Sequence, residues 1–522
     1  MKPFGEFRWW ARHASSSERG VSVVAAVAAL ALLTWLLIPT TRHAARGSRL
    51  STSGTARGAV SAGVTTISAS DTAPSSSTGV ATATAGASGS STGPAVSQRA
   101  GTASASVRTA GEAVTAGAHG CTSPPGTSRG VTANQIKVAV LLVQIVGPAA
   151  NGLFGIPGPD EQRKIFEAIV DALNREGGIA CRKVVVDYMA VNPADQSDMQ
   201  SKCLDVAEAG DFAAIDLGSY QVTGPLCFAQ HQVPYIGGTF VTQRQADQGF
   251  PYIFALGKFD QLHRDTVFGF HDRGAFAAAK GFRKLGVFFH HCYPELMTQE
   301  LAALHRIGLS DSQISTYDFG CPTAFATPSD VQQAILKFKS AGVSHVTYVN
   351  AVGDVPTFTT VAEQQGFRPQ YLLPDEQLIG TAYGTQRPNA NNMANALVIT
   401  DSRNGEERTP GMSPTGPTAR CDAVLASRGL APTYRQNQLA GNGCDQFWML
   451  KAAVEHALAL RADALPLGLQ RANSVDFSYP QGPNDFSGDR VTTAGQFWRV
   501  DQFFTECACF RVIDPVFRRG YK

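Results

Sequence analysis

The sequence predicts a two-lobed α/β protein in which each lobe is built on a mainly parallel sheet. Residues 136–146 (IKVAVLLVQIV) form a continuous apolar, β-branched run, typical of a strand buried on both faces. Strand and helix patterns then alternate along the chain, and this order indicates doubly wound parallel sheets. The alternation runs in two successive series after residue 130, over a length of about 390 residues that suffices for two cores.

The first series of elements ends near residue 256. Apolar residues recur at helical spacing from Ile165 to Leu173, and Gly177 follows, so a helix is predicted at 160–174. The remaining elements of this series are helices at 195–209 and 224–231 and strands at 183–188, 212–217, 233–237 and 251–256.

The second series begins at Lys284 with the strand pattern KLGVFFH. Thr327 and Asp330 have the spacing of a capping box in front of a helix. Helices are predicted at 297–307, 331–340 and 355–365, and strands at 284–290, 313–319, 345–350, 371–374 and 396–400.

An uncharged run of 18 residues lies near the N-terminus, at 21–38. As a helix it would reach ~27 Å, close to the hydrocarbon thickness of a bilayer. It is longer than the apolar core of a typical signal peptide and lacks a clear cleavage site, so a transmembrane anchor is favoured over a cleaved signal. Residues 1–20 would then form a short cytoplasmic segment.

Residues 39–129 consist almost entirely of Ser, Thr, Ala and Gly. Such a segment buries too little apolar surface to offset the entropy of ordering, so a disordered stalk is predicted. A stalk of this length has a root-mean-square reach of ~50 Å and would hold a folded head away from a membrane.

All ten cysteines lie after the apolar run, and their even, scattered distribution suits an oxidising compartment. The alternative is a set of buried free thiols in a cytosolic protein. Three pairs are predicted from the order of elements: Cys203–Cys227, Cys292–Cys321 and Cys421–Cys444. Cys121, Cys181, Cys507 and Cys509 are left unassigned. We expect the head to lie on the extracytoplasmic side of a cell membrane that the chain crosses once.

Charge argues against nucleic-acid binding, and no catalytic motif is present. The 44 Lys and Arg residues nearly balance the 42 Asp and Glu residues, which gives no basic surface for nucleic acid. The sequence contains no G-x-S-x-G elbow, H-E-x-x-H helix or phosphate-binding P-loop, so nothing indicates an enzyme or a cofactor.

Several segments of the head, taken in order, resemble one family. They are GVTANQIKVAVLL, NREGGIACRKV, DLGSYQVTGPL, QVPYIGGTF, QGFPYIFAL, KLGVFFHHCYPE, SAGVSHVTYVNAVGD and QYLLPDEQL. This set resembles type I periplasmic solute-binding proteins of ABC importers, in the branch of the Leu/Ile/Val receptors.

The resemblance implies a Venus flytrap, in which two Rossmann-like lobes joined by three crossovers close on a small molecule. Lobe one would comprise residues 130–256 and 401–460, and lobe two residues 257–400 and 461–522. It also implies a small polar, amino-acid-like ligand and an ABC permease as partner. A ligand-binding sensor without transport and a secreted hydrolase are the alternatives.

In lobe one, the resemblance places a ligand carboxylate on backbone amides of Gly218, Ser219, Gly238 and Thr239. Amides at helix N-termini form such anion pockets. The alternative is that these glycines only permit tight turns. Tyr220 and Gln221 stand where the family usually has a serine hydroxyl.

In lobe two, the resemblance implies that Tyr293 covers the ligand and that Glu376 pairs with its ammonium, while Asn350 follows a strand in a matching binding loop. The alternative for Glu376 is a solvated loop acid. Because Tyr293 and Glu376 are expected to line an open crevice, changing them should weaken ligand binding without altering the melting temperature. His290, His291 and Cys292 have a possible metal-ligand composition, but ordinary polar roles are favoured and no metal is predicted.

Overall fold

A computed structural model describes residues 123–145, 151, 156–193, 195–217, 223–238, 241–321, 325–376, 387–414, 416–431, 439–480 and 482–522. The predicted cytoplasmic segment, the predicted transmembrane helix and all but the end of the predicted stalk lie outside these residues. Among the helices that the structure does describe, none combines the length and apolar character needed to span a bilayer.

The first sheet is five-stranded and fully parallel, in the order β2-β1-β3-β4-β5. Its central strand β1 is buried over most of its length, as its apolar sequence predicts. The strands of this sheet are β1 (Gln135–Val143), β2 (Lys183–Val191), β3 (Ala213–Asp216), β4 (Tyr235–Gly237) and β5 (Ile253–Ala255).

Helices between these strands begin and end as their sequences dictate. Helix α1 (Pro159–Arg175) starts with proline and buries the stripe from Ile165 to Leu173. The Asp195 carboxylate caps α2 (Gln196–Ala209) by accepting from Ser197 N at 2.8 Å, and Gly210 ends it at a φ of 72°. The next two helices are α3 (Thr223–Gln230) and α4 (Gln243–Gln248).

The second sheet is seven-stranded, in the order β14-β13-β10-β9-β8-β6-β7. Its strands from β6 to β10 are parallel, whereas β13 and β14 pair antiparallel at one edge. The strands are β6 (Leu285–Phe289), β7 (Ile314–Asp318), β8 (His345–Val349), β9 (Gln370–Pro374), β10 (Leu397–Thr400), β13 (Phe497–Phe504) and β14 (Cys509–Arg519).

Four described helices belong to this second lobe: α5 (Phe259–Asp272), α6 (Pro294–Arg306), α7 (Pro328–Ser340) and α8 (Val355–Gln364). The predicted capping box at Thr327 and Asp330 is present at the start of α7. Helix α5 packs Leu262 and Phe270 against Leu372, Ile399 and Trp498 of the sheet.

The last part of the chain is divided between the lobes. Helices α9 (Gly416–Ala426), α10 (Leu439–Glu455) and α11 (Leu465–Ala472) follow β10, and the short strands β11 (Ser474–Asp476) and β12 (Pro483–Asp485) pair with each other. All residues from Arg461 were expected in lobe two. Leu465, Leu469, Phe477 and Phe486 instead pack in the core of the first lobe, because their apolar side chains cover that core beside α10.

Three crossovers between the sheets run side by side. They follow β5, β10 and β12, and the first and third are joined by a bridge between Ala255 and Thr493. A Cβ on Gly495 would lie 2.8 Å from Gly257 Cα and 2.9 Å from Asp401 Oδ2. Gly495 therefore marks the point where all three connections meet, and its lack of a side chain permits this close approach.

The structure contains all three predicted disulfides: Cys203–Cys227, Cys292–Cys321 and Cys421–Cys444. A fourth joins Cys507 and Cys509 at the turn between β13 and β14, and Cys181 is also disulfide-bonded. Each of the three predicted pairs ties neighbouring elements of one lobe.

Candidate functional site

The carboxyl ends of the parallel strands form the candidate site, because ligands of open α/β sheets bind in the crevice outside those ends. In the first lobe this edge follows β3 and β4, and in the second it follows β6, β8 and β9. Gly238, Asn350 and Glu376 are the predicted ligand-binding residues that the structure describes directly at these edges.

At the first edge, Gly238 is buried and leaves no room for a side chain. A Cβ at this position would lie 2.1 Å from the Leu217 carbonyl oxygen, so glycine is required by the close approach of two strand ends. Beside it, Tyr235 Oη donates to Asp216 Oδ2 at 2.8 Å, and Gln446 Nε2 donates to the Asp216 and Ile236 carbonyls. Gly218, Ser219, Tyr220, Gln221 and Thr239 lie outside the described residues, so their predicted roles stay predictions.

At the second edge, Asn350 directly follows β8 with a left-handed φ of 56°. Asn350 is 6% exposed, and its Nδ2 makes no hydrogen bond with the residues that the structure describes. A buried amide donor without an acceptor costs about 1–3 kcal/mol, which such a position tolerates when a ligand supplies the acceptor. Asn350 is therefore the described residue best suited to contact a ligand.

Glu376 has a different environment from the predicted one. It is 1% exposed, its Oε1 accepts from Asn350 N at 3.1 Å, and the same oxygen forms a short hydrogen bond with His263 Nε2. The expectation that Glu376 lines an open, wet crevice is wrong, because this carboxylate is buried against a cation of its own chain. Its predicted pairing with a ligand ammonium stays a prediction.

His263 lies between two carboxylates, which we call the ionic cluster: His263, Glu300 and Glu376. His263 Nδ1 is 3.5 Å from Glu300 Oε2, and all three side chains are almost fully buried. Burial alone lowers the pKa of His263, but the charges and hydrogen bonds of Glu376 and Glu300 outweigh it and raise the pKa to about 10. Burial raises the pKa of Glu300, although His263 opposes this shift. His263 is therefore a cation at neutral pH.

Tyr293 is also enclosed rather than open to a crevice. It precedes α6, is 1% exposed, and packs edge-on against Phe259 with ring centroids 5.9 Å apart. The premise of an open crevice is thus wrong for Tyr293 too. Because Tyr293 belongs to a packed cluster of apolar side chains, we now expect its removal to lower the melting temperature.

The possible metal ligands His290, His291 and Cys292 are used otherwise. Cys292 is bonded to Cys321, and His291 Nδ1 pairs with Asp318 at 2.8 Å. His290 Nδ1 accepts from Cys292 N at 3.2 Å, and burial lowers the pKa of His290 to about 4. Elsewhere in the described chain, Cys203, Cys227 and His231 have metal-like spacing, but both sulfurs are in a disulfide.

Sequence reasoning missed His263 and Glu300. The signal for His263 was its place among buried residues of α5 at helical spacing: Phe259, Leu262, Thr266 and Phe270. A histidine in such a stripe needs a buried partner. Helix α5 itself was not predicted, so this signal was not used.

The two lobes also touch beside the candidate site. Arg244, on α4 of the first lobe, lies with Nη1 3.8 Å from Glu295 Oε2 at the start of α6 in the second. Glu295 is mostly buried, and its carboxylate oxygens make no hydrogen bond within the described part of the chain, so this ion pair is its contact with the opposite lobe.

Comparisons with known proteins support the architecture. No protein-family model matches the sequence, and no curated protein sequence matches it. A fatty-acid ABC transporter substrate-binding protein from Thermomonospora curvata is similar in structure, with a TM-score of 0.55 and 14% identity over 77% of this chain and 95% of that one.

Two further solved structures of ABC transporter binding proteins are also similar to this chain. A solute-binding protein of an ABC transporter from Rhodopseudomonas palustris BisB5, in complex with 3,4-dihydroxybenzoic acid, has a TM-score of 0.54 and 12% identity, over 74% of this chain and 97% of that one. An ABC transporter substrate-binding protein from Desulfitobacterium hafniense, in complex with Leu, has a TM-score of 0.51 and 15% identity, over 73% of this chain and 100% of that one. The head therefore has the type I periplasmic binding protein fold that the sequence segments resemble.

Proposed function

We propose that this protein is an extracytoplasmic solute-binding protein that captures a small polar metabolite and delivers it to an ABC permease. The observation that carries the proposal is the buried amide of Asn350, which pairs with no described residue and lies at the carboxyl end of β8, the edge where such folds bind ligands. Three adjacent crossovers give the two lobes a common hinge, and the ion pair between Arg244 and Glu295 would stabilise the closed form.

We propose that the ligand carries a carboxylate. The ligands named for the similar structures are leucine, a fatty acid and 3,4-dihydroxybenzoic acid, and each contains this group. Asn350 Nδ2 is a suitable donor to it. An amino-acid-like ligand would also need a negatively charged partner for its ammonium group. If Glu376 is that partner, its carboxylate must interact with the ligand and with His263 at the same time.

Tethering to the membrane is part of the proposal. The apolar run at 21–38 is the proposed anchor, and the disulfides of the head favour an oxidising compartment. Mass analysis of the mature N-terminus tests this point. A start after Ile38 would show that the run is removed and that the head is not anchored by it.

Asn350→Gly tests the proposed site. Glycine keeps the left-handed backbone at this position but removes the amide, so calorimetry should show affinity for the physiological ligand reduced by ~1.5–3 kcal/mol, the size of a hydrogen bond to a charged group. Asn473→Gly is the matched control, because Asn473 is exposed and has a similar φ of 67°. Equal affinity in both variants would remove Asn350 from the site.

We also propose that binding occurs without catalysis, as the neighbours are substrate-binding proteins. Recovery of the bound molecule unchanged after prolonged incubation tests this. Its conversion to a product would favour a hydrolase instead.

A further inference from the structure

One disulfide of this protein has a partner beyond the described residues. The sequence contains ten cysteines, and all of them except Cys121 lie in the part of the chain that the structure describes. None of these is a free thiol. Eight form the four pairs given above, and Cys181 is bonded as well. Because each disulfide joins two cysteines, the partner of Cys181 is a cysteine outside that set.

Within this chain, Cys121 is the one cysteine that remains, and the alternative is a cysteine of a second molecule. A described contact brings Cys121 within reach of Cys181. Arg182 follows Cys181, and its Nη1 donates to Ser123 Oγ at 2.8 Å. Cys121 precedes Ser123 by two residues, an extended span of at most ~7 Å. Since the Cα atoms of a disulfide lie ~5.5–6 Å apart, this span suffices for a bond between the two cysteines.

Cys181 lies on a tight turn whose backbone is unfavourable for its residues. Ile179 and Arg182 exchange two backbone hydrogen bonds of 3.0 Å, and between them Ala180 and Cys181 have left-handed φ values of 49° and 60°. Such two-residue turns usually carry glycine or asparagine, because a Cβ is unfavourable at these angles. Glu455 Oε1 accepts from Ala180 N at 3.1 Å. A covalent bond at Cys181 would further hold the turn in this form.

The described chain that follows Cys121 runs across one end of lobe one. Arg129 Nη2 donates to the His231 carbonyl at 2.7 Å, and a Cβ on Gly130 would lie 2.3 Å from Phe212 N. Phe212 directly precedes β3, and His231 lies shortly before β4. These contacts are therefore at the amino ends of the parallel strands. The candidate site is at the opposite, carboxyl ends.

We propose that Cys121 and Cys181 form a fifth disulfide, which fastens the predicted stalk to lobe one at the amino ends of its strands. Each thiol loses a proton and one electron as the sulfur–sulfur bond forms, and a disulfide of an oxidoreductase takes up the two electrons and two protons to become a dithiol. Because the candidate site lies at the other ends of the strands, this attachment leaves the crevice clear. The pairing is independent of which ligand the crevice binds.

Peptide mapping of the full-length protein under non-reducing conditions tests the pairing. Free thiols are alkylated first, and digestion with trypsin is kept at mildly acidic pH, where thiolates are scarce and disulfides do not exchange. We expect one species in which residues 109–129 are joined to residues 176–182, and its separation into two peptides after reduction. Alkylated Cys121 and Cys181, a 176–182 peptide joined to its own copy, or Cys181 joined to any other cysteine would overturn the proposal.

Cys121→Ser tests the same bond from the other side. It leaves Cys181 without its partner, so mass spectrometry after alkylation should show one modified thiol per chain, at Cys181, where the unmodified protein shows none. The double variant Cys507→Ser, Cys509→Ser is the matched control, because it also removes one disulfide and should gain no modified thiol. If Cys121→Ser gains no thiol at Cys181, that cysteine has another partner and the proposal fails.

Hydrogen exchange tests whether the bond fastens the stalk to lobe one. In the double variant Cys121→Ser, Cys181→Ser, exchange should become severalfold faster at residues 123–131 and 179–182 and stay unchanged in β14. The Cys507→Ser, Cys509→Ser control should show the reverse, with faster exchange at the turn between β13 and β14. Unchanged exchange at 123–131 and 179–182 in the first variant would show that the bond does not hold this segment on lobe one, and would overturn the proposed attachment.

Discussion

Two buried regions of this protein hold carboxylates in different ways. In the ionic cluster of lobe two, His263 supplies a cation between Glu300 and Glu376. Asp401 follows β10 at a crossover, Asp501 lies in the neighbouring strand β13, and both are buried; we call them the crossover carboxylates. Asp401 Oδ1 makes no hydrogen bond with a residue that the structure describes, and Asp501 Oδ1 forms an ion pair with Arg499 Nε at 3.5 Å.

The two regions differ in what sets the protonation of their carboxyl groups. Burial, together with the charge of the nearby Asp375, raises the pKa of Asp401 to about 8. Burial likewise raises the pKa of Asp501 to about 8, against the opposing effect of Arg499. In the ionic cluster the cation His263 opposes the effect of burial on the pKa of Glu300. At the crossover carboxylates, neighbouring acids such as Asp375 add to the effect of burial. The carboxyl groups of Asp401 and Asp501 are therefore uncharged under mildly acidic conditions.

The largest expected effect is in the ionic cluster. His263→Ala leaves two buried carboxylates without their cation, so the free energy of unfolding should fall by about 3–5 kcal/mol. Urea unfolding at pH 7 measures it. His305→Ala, at an exposed histidine on α6, should change stability by less than about 1 kcal/mol. Similar small effects in both variants would mean that the cluster is not buried as described.

Gly495→Ala tests the packing of the crossovers. An alanine at this position must adopt the left-handed φ of 67°, and its methyl group would crowd Gly257 and Asp401. The substitution should therefore lower the free energy of unfolding by about 2–4 kcal/mol. Gly274→Ala is the control, because Gly274 has a φ of 69° with open space around it and should cost only about 1–2 kcal/mol. Thermal unfolding compares the two. Equal losses would indicate that the crossovers are not in close contact.

The smallest effect concerns pH. A carboxyl group with a folded pKa of about 8, above its ordinary value of 3.8, contributes stability that is present below pH 4 and is lost as the pH rises to 8. Asp401→Asn should therefore raise the melting temperature at pH 9 relative to the unmodified protein and change it little at pH 5. Asp489→Asn, at an exposed position, should leave the pH profile unchanged. An unaltered profile in Asp401→Asn would contradict the crossover comparison.

The wild-type protein offers a related test. The folded pKa of His263, about 10, exceeds its ordinary value of 6.5, so its stabilising contribution is present below pH 6.5 and is lost toward pH 10. The raised pKa values in both regions thus predict that the protein is more stable at pH 6 than at pH 9. Calorimetric melting across this range should show a continuous decrease, and a maximum at pH 9 would contradict both assignments.

The sequence predicted the central parallel strands well because both of their faces are buried, which leaves long apolar runs such as 136–146. It also predicted three disulfides, since their cysteines end or occupy neighbouring elements. It did not predict β13 and β14. Charged and polar residues interrupt the apolar ones in both strands, and the apparent end of the second series at Thr400 concealed their return to the sheet.

The candidate site was less predictable. Asn350 and Gly238 could be located because they directly follow apolar strands. The environment of Glu376 could not, because it depends on His263 and Glu300, which lie 113 and 76 positions earlier in the chain and reach it only through the packing of α5 and α6 on the sheet. Local patterns give the position of an acid but not the partner that neutralises it.

The central claim is that the head holds a small molecule between its lobes. Mass spectrometry of the full-length protein, purified without added ligand and compared before and after denaturation, tests it directly. The account predicts release of a single class of small carboxylate in near-stoichiometric amount, and a much smaller amount from Asn350→Gly. Release of no small molecule, together with no calorimetric response to a panel of amino, fatty and aromatic acids, would contradict it.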